Sequence, residues 1–417
     1  MKKKFKYIPR FCSVLIVMIM MFTLSACKFG KKEKSENQKK INIFMDTTDE
    51  YSSKAIKFLI DDFKKNNADV EIKLNDILGG KSNIVETINT GTEIDLIFTN
   101  RNTIIELSKK GFLSDLESTY KNQTIGERYY DIMCSYGRVG DKYYGIGVVP
   151  YSIELLYNKD YLEKLKISNP NNLEQWLKVL KQINGKGVKT PVVLNDDMGV
   201  DGFLFSLIAS KTINIHDLEG NYDGGEERYK KLKDMQKIFN EFNSLVKNNG
   251  IDANTFELGN EQSINNFNNG DSPLLVGISY YNSKLTGSNI GIIEDYDNNS
   301  NYGSNIPIII NSLLGIPVNA KNMDNANDFI KYIYSDEVQG RLVQSGIISG
   351  NKLANNKITG IGKIMVQHMY KANDNSILIL YNVPDKIKNS VTLTIRKILS
   401  GEFTSKEWDE ILKECYK

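Results

Sequence analysis

Histidine, tryptophan and cysteine are the scarce residues of this 417-residue chain, and each shortage closes off a class of function. Two histidines, His216 and His368, argue against a His-rich catalytic or metal site. With only four cysteines, soft transition metals lack thiolate ligands as well. Three catalytic signatures are missing: the Gly-x-Ser-x-Gly elbow, the His-Glu-x-x-His helix and the phosphate-binding P-loop. No cofactor is implied. A membrane-spanning helix needs about 20 apolar residues, and the apolar run 11–22 is too short for one.

The rest of the composition is ordinary. The chain is 41% hydrophobic and 25% charged, enough for a large core and two or three domain-sized units of roughly 100–200 residues. The first residues read as a targeting segment. Lys2, Lys3, Lys4, Lys6 and Arg10 precede the apolar run, which is followed by Leu24-Ser25-Ala26-Cys27. This resembles a bacterial lipobox. The resemblance implies cleavage before Cys27 and acylation of its sulfur, with palmitate as one acyl group. Two chains anchor stably where one does not, at about 0.8 kcal/mol per buried CH₂. The expectation is a lipid-anchored protein on the extracellular face of the cytoplasmic membrane.

Processing changes the charge. The formal net charge is +2, and the segment 1–26 holds five basic and no acidic residues, leaving −3 without it. Residues 28–40 hold six Lys and two Glu, so the body from Ile41 onward is about −7. The segment 27–40 reads as a flexible tether whose lysines suit anionic head groups. The acidic body has no basic patch, which argues against nucleic acid. Cys134 and Cys415 remain; a disulfide is permitted in an exported protein, whereas separate buried thiols fit Cys415's place on a helical apolar stripe.

From Ile41 the pattern alternates. Residues 41–45, 70–74 and 94–98 read as strands; 54–66, 82–90 and 103–110 read as helices. Ile56, Leu59, Ile60 and Phe63 form one apolar stripe, and Gly91 and Gly111 close the following helices. Such alternation means βαβ units and a largely parallel sheet. Next comes 141–159, which opens on Tyr143 and Tyr144, passes Gly145, Gly147 and Pro150, and ends in Leu155-Leu156-Tyr157-Asn158-Lys159. Further on, 159–165, 171–183, 202–211, 226–248 and 260–268 read as helices, 190–194, 274–278, 290–293 and 308–314 as strands, and 214–225 as a loop. The last hundred residues read as helical, including a capping box at Thr404–Glu407.

Four segments together carry a resemblance. They are the Tyr-Asn-Lys strand of 141–159, Phe267-Asn268-Asn269-Gly270 before an apolar strand ending in Tyr280-Tyr281, the strand, turn and helix of 315–342, and Ile398-Leu399-Ser400-Gly401-Glu402 before the last helix. In this order, behind a lipobox, they resemble the family 1 extracellular solute-binding proteins of bacterial ABC importers, the family of maltose-binding protein. The resemblance implies an α/β, two-lobe periplasmic-binding-protein-like fold of type II with three hinge crossings, and no enzymatic activity. It places 41–150 and 278–315 in the N-terminal lobe, 151–277 and 316–417 in the C-terminal lobe, and crossings near 149–152, 275–278 and 314–317. It also implies a monomer that captures a small solute, most often a sugar, by closing its lobes, and hands it to ABC permease subunits.

Ligands of open α/β sheets sit beyond the carboxyl ends of the strands. That rule selects Asp46, Thr47, Thr48 and Asp49, then Thr99, Asn100, Arg101 and Asn102, then Tyr151, Tyr280 and Tyr281, and the group Asn195, Asp196 and Asp197. Matching segments to the family narrows the solute-binding set to Asp46, Thr48, Thr99, Asn100, Asn102, Tyr151, Tyr280 and Tyr281. Carboxylates and amides suit hydroxyls, and an aromatic face suits the apolar face of a sugar. The same acids and asparagines also fit helix caps and turns, and Arg101 also fits a pairing with a protein carboxylate. One of Tyr280 and Tyr281 is expected in the cleft. Tyr381, before Pro384, is a weaker candidate.

Two departures separate this chain from the family pattern. Gly147 stands where many members have proline. Trp176 and Trp408 lie in helices, so the tryptophan platform of long-sugar binders is not evident. Two other functions compete: a solute-sensing or adhesive surface lipoprotein of the same fold, and a secreted hydrolase using Asp196, Asp197 and Asp201.

Overall fold

A computed structural model describes residues 39–47, 49–76, 84–194, 199–209, 212–296 and 306–417. Cys27, Thr48 and the group Asn195, Asp196 and Asp197 lie outside these residues.

The first sheet grows from the run 41–45. Strand β1 (Lys39–Asp46) is buried along most of its length, as expected of a strand with both faces covered. It pairs in parallel with β2 (Val70–Asp76) on one side and β3 (Leu96–Thr99) on the other. The helix Glu50–Asn66 begins four residues before the expected start at 54, because Asp49 caps it: the carboxylate accepts from the Ser52 N–H at 2.6 Å. Ile56, Leu59, Ile60 and Phe63 are buried as the periodicity predicts. At about 1.5–3 kcal/mol each, those four side chains bind the helix to the sheet. After a two-stranded ribbon, β4 (Arg138–Val139) and β5 (Lys142–Tyr143), strand β6 (Ile146–Gly147) joins the edge of the first sheet.

The second sheet centres on β7 (Tyr151–Asn158), whose eight residues are all buried. It includes β8 (Thr190–Val192), β9 (Phe256–Leu258), β10 (Leu274–Ile278) and β11 (Ile290–Ile292), in the order β11-β7-β10-β8-β9. Strand β12 (Ile308–Ile309) pairs with Ser152 and Tyr151 at the start of β7. Strand β13 (Leu313–Gly315) returns to the first sheet, between β3 and β6. The two sheets, each with its helices, are the cores of two lobes.

Two passages between the lobes run side by side. Residues 148–150 lead from β6 to β7, and residues 310–312 lead from β12 to β13. They are hydrogen-bonded to each other: the Val148 N–H donates to the Ser312 carbonyl at 3.0 Å, and the Val149 N–H to Ser312 Oγ at 3.0 Å. Gly147 lies against this ribbon. A Cβ there would meet the Met133 Cε and carbonyl at 3.1 Å and Ile310 Cδ1 at 3.2 Å.

Several expectations need correction. The run 308–314 is two strands in two different sheets, separated by Asn311 and Ser312. The crossing expected at 314–317 therefore falls at 310–312. Residues 275–278 lie inside β10, paired with β7, and make no crossing there. Of the 278–315 segment assigned to the first lobe, β11 and β12 pair with β7 of the second. Conversely, helices Met323–Ile333 and Asp336–Gln344, expected in the second lobe, pack on the first-lobe helix Glu50–Asn66. Phe329 meets Phe63 edge-on at 5.0 Å, and Arg341 pairs with Asp62 at 2.6 Å. Helices Asp385–Leu399 and Glu407–Cys415 do belong with the second-lobe helices Gly199–Ala209 and Asp234–Asn249.

Locally, the segment read as the loop 214–225 contains the helix Ile215–Asn221, capped by Asn214. The helix expected over 226–248 is divided into Glu226–Tyr229 and Asp234–Asn249. Trp176 and Trp408 are buried and donate to the Leu156 and Tyr229 carbonyls. Cys134 and Cys415 are not bonded to each other.

Candidate functional site

The parallel pairing of β1 and β3 brings their carboxyl ends together, with Asp46 directly opposite Thr99. Thr47 follows the first strand, and Asn100, Arg101 and Asn102 follow the second. The passage 310–312 brings Asn311 to the same edge, where its amide donates to Asp49 Oδ2 at 2.8 Å. From the second lobe come Tyr151 at the start of β7, and Tyr280 and Tyr281 in the 3-10 helix Ser279–Lys284 that follows β10. The 3-10 helix Ile379–Asn382 adds Tyr381, whose hydroxyl lies 3.4 Å from the Asn311 amide.

Aromatic rings join the lobes. Tyr51, in the first turn of the helix capped by Asp49, lies with its ring centroid 4.4 Å from Tyr280 and 5.6 Å from Tyr281. Its hydroxyl is hydrogen-bonded to that of Tyr281. Tyr280 also meets Tyr151 edge-on at 5.9 Å. Tyr281 is buried and Tyr280 half-buried. Both therefore turn toward the opposite lobe, where one had been expected to point away.

Four buried oxygens at this junction have no hydrogen-bond partner among the described residues: Thr47 Oγ1, Thr99 Oγ1, Asn102 Oδ1 and the Tyr151 hydroxyl. Leaving a buried polar group unsatisfied costs about 1–3 kcal/mol. Four of them cost an amount comparable with the whole stability of a domain, roughly 5–15 kcal/mol. Thr47 and Asn102 follow β1 and β3, Thr99 ends β3, and Tyr151 opens β7. Burial, reinforced by the nearby Asp385 carboxylate, pushes Asp46 up to about 6. Burial also raises the Tyr151 hydroxyl well above its ordinary value, so it stays a neutral donor.

A family model for bacterial extracellular solute-binding proteins matches residues 47–340. The chain belongs to that family. Its members bind solutes and carry out no chemistry on them, so this binding protein is not an enzyme. The fold agrees with solved structures of low sequence identity. A sugar-binding protein MalE from Xanthomonas citri superposes with a TM-score of 0.68 at 14% identity, covering 90% of this chain and 96% of that one. A family 1 solute-binding protein from Bifidobacterium longum subsp. infantis gives 0.67 at 17%, covering 91% and 99%. A chitin oligosaccharide binding protein gives 0.66 at 16%, covering 90% and 98%. A search of curated protein sequences found no match. Among the described residues, no helix is long and apolar enough to cross a membrane, and no group of three His, Cys, Asp or Glu could hold a metal ion.

The expected site residues of this binding protein are not all alike. Asp46 and Thr99 stand opposite each other with Asn102 three residues further on, and Tyr151, Tyr280 and Tyr281 share one ring cluster. Asn100 commits its side-chain oxygen to the Thr103 N–H as the cap of the helix Arg101–Lys109. Asp49 is likewise a cap. Arg101 is fully buried and pairs with Glu219 at 2.6 Å. Burial lowers its guanidinium pKa, against the attraction of Glu219. Tyr51, Glu219, Asn311, Asn382 and Asp385 were missed. Asn311, a polar residue inside an apolar run, carried a visible signal. Glu219 did not, because it sits in a stretch whose Asn, Asp and Gly content reads as a loop.

Proposed function

We propose that this protein captures a small hydroxylated solute, most simply a carbohydrate, between its two lobes for an ABC importer, and delivers it to the permease subunits. The single observation that carries this reading is the set of four unpartnered oxygens, one of them the hydroxyl of Tyr151, which belongs to the tyrosine cluster shared by both lobes. A carbohydrate offers hydroxyls to the first and an apolar face to the second. Asp46, Thr48, Thr99, Asn102 and Tyr151 would supply hydrogen bonds, with a free amide edge from Asn100. Tyr280 and Tyr281 would supply the aromatic surface. Solved structures of the same fold include the chitin oligosaccharide binding protein and RafE in complex with raffinose, which supports a sugar. The direct contact of Tyr51 with Tyr280 and the lack of a tryptophan platform favour a small one.

A solute that touches both lobes shifts the population further toward the closed form. The lipobox-like sequence supports tethering through acylated Cys27 outside the cytoplasmic membrane. The testing experiment is mass spectrometry of the small molecule that co-purifies with the protein, followed by titration of that compound into stripped protein. A molecule other than a hydroxylated solute, or a compound bound equally well after Tyr151→Phe and Asp46→Asn, would refute the reading.

A further inference from the structure

Arg101 follows β3 among the strand-end residues, and its hydrogen bonds reach both lobes. Nη1 reaches the carbonyls of Ser135, Tyr136 and Arg138 at 3.2, 2.6 and 3.0 Å, all in the first lobe. Nε donates to Asn382 Oδ1 at 2.7 Å and Nη2 to Glu219 Oε2 at 2.6 Å. Glu219 sits in the helix Ile215–Asn221, between second-lobe helices in the chain. It receives further first-lobe donors: the Gly140 N–H at Oε1, 2.6 Å, and Lys109 Nζ at its carbonyl, 2.8 Å. Lys109 also reaches the Tyr222 carbonyl at 3.1 Å. The side chains of Arg101 and Glu219 are 0% and 6% exposed.

We infer that Arg101 and Glu219 form an interlobe latch, which holds the lobes together through protein contacts alone and sets how tightly solute is retained. The inference rests on reading the junction as the solute site, but the latch itself needs no solute. Arg101 holds first-lobe carbonyls with Nη1, reaches Glu219 with Nη2, and with Nε reaches Asn382, three residues before the second-lobe helix Asp385–Leu399. Opening must break a buried charge pair, and losing one partner of such a pair acts on dissociation more than on association. Arg101 is therefore a positioning residue: it acts on solute through the lobes, without contact.

The test uses the purified full chain with no solute present. A compact body of about 380 residues has a radius of gyration of about 21 Å, and X-ray scattering of the unliganded wild type should match the structure in which Arg101 and Glu219 are paired. Arg101→Met should shift the closed-to-open ratio toward open by about 30-fold or more, seen as a larger radius in a protein whose circular dichroism still shows it folded. Glu219→Gln keeps the hydrogen-bonding shape without the charge. It should expand the protein too, and the double variant should expand it no further than the stronger single one. If Arg101→Met does not fold, Glu219→Gln decides alone. A folded variant with the wild-type radius, or an open unliganded wild type, overturns the latch while leaving solute capture standing. Failure of any small molecule to bind would sink the capture reading and leave the scattering result intact.

Discussion

Replacing Tyr151 by phenylalanine should stabilise the unliganded protein and weaken solute binding, two effects of opposite sign from one oxygen atom. The Tyr151 side chain is 1% exposed and its hydroxyl has no partner among the described residues. Burying such a group unsatisfied costs about 1–3 kcal/mol. Nearby polar groups offset part of that, so a gain of about 1 kcal/mol is expected on removal. For a body of this size the gain corresponds to a rise in melting temperature of about 1–2 °C. A hydrogen bond to solute contributes about 1–1.5 kcal/mol, so affinity should fall by roughly 5- to 10-fold. Urea unfolding and calorimetric titration of the co-purified compound measure the two effects. Tyr334 is the control. It is equally buried, but its hydroxyl donates to the Ile146 and Gly147 carbonyls at 3.0 and 3.1 Å. Tyr334→Phe should therefore destabilise by about 1 kcal/mol. A Tyr151→Phe variant that loses stability as the control does would refute the reasoning, because the hydroxyl would then serve the fold.

Asp46→Asn should change how stability depends on pH. The folded protein holds the Asp46 proton up to about 6, above the ordinary 3.8, so this group's favourable contribution is complete below about 3.8 and lost as pH rises through about 6. The asparagine variant should gain about 1–2 kcal/mol relative to wild type between pH 4 and 7.5, allowing for solvent screening of a partly exposed group; urea unfolding at the two pH values checks this. Solute binding should move the other way in wild type, weakening below about pH 6 as the acceptor carboxylate is lost, with calorimetry across that range as the check. Gly147→Ala should cost about 1–3 kcal/mol by crowding Met133 and Ile310, read as a lower urea midpoint. Alkylation at pH 8 should modify Cys415 before Cys134, which is 7% exposed and whose thiol burial pushes up to about 12; peptide mapping resolves the order.

Strands and helices were legible where hydrophobic period and burial agree. Leu274–Ile278 is a strand over the residues its apolar run marks, and the stripe Ile56, Leu59, Ile60 and Phe63 is the buried face of its helix. Caps moved the boundaries: Asp49 starts its helix early. What a run of residues does not disclose is its partner strand. Residues 308–314 read as one strand because five of the seven positions, all but Asn311 and Ser312, are apolar, while their division between two sheets depends on which neighbours lie alongside. The candidate site was legible as far as the strand-end rule reaches, which selects Asp46, Thr99 and Tyr151. The pairing of Arg101 with a carboxylate was foreseeable from its chemistry. Its partner was not, since Glu219 and Asn382 approach it only through the packing of the lobes.

Native mass spectrometry of the protein purified from its own cells, as wild type and as the Asp46→Asn and Tyr151→Phe variants, tests the central claim most directly. Solute capture at the strand ends predicts one small hydroxylated molecule held without a covalent bond by each wild-type chain, and lower occupancy in both variants. A bound molecule whose occupancy neither substitution changes would contradict it.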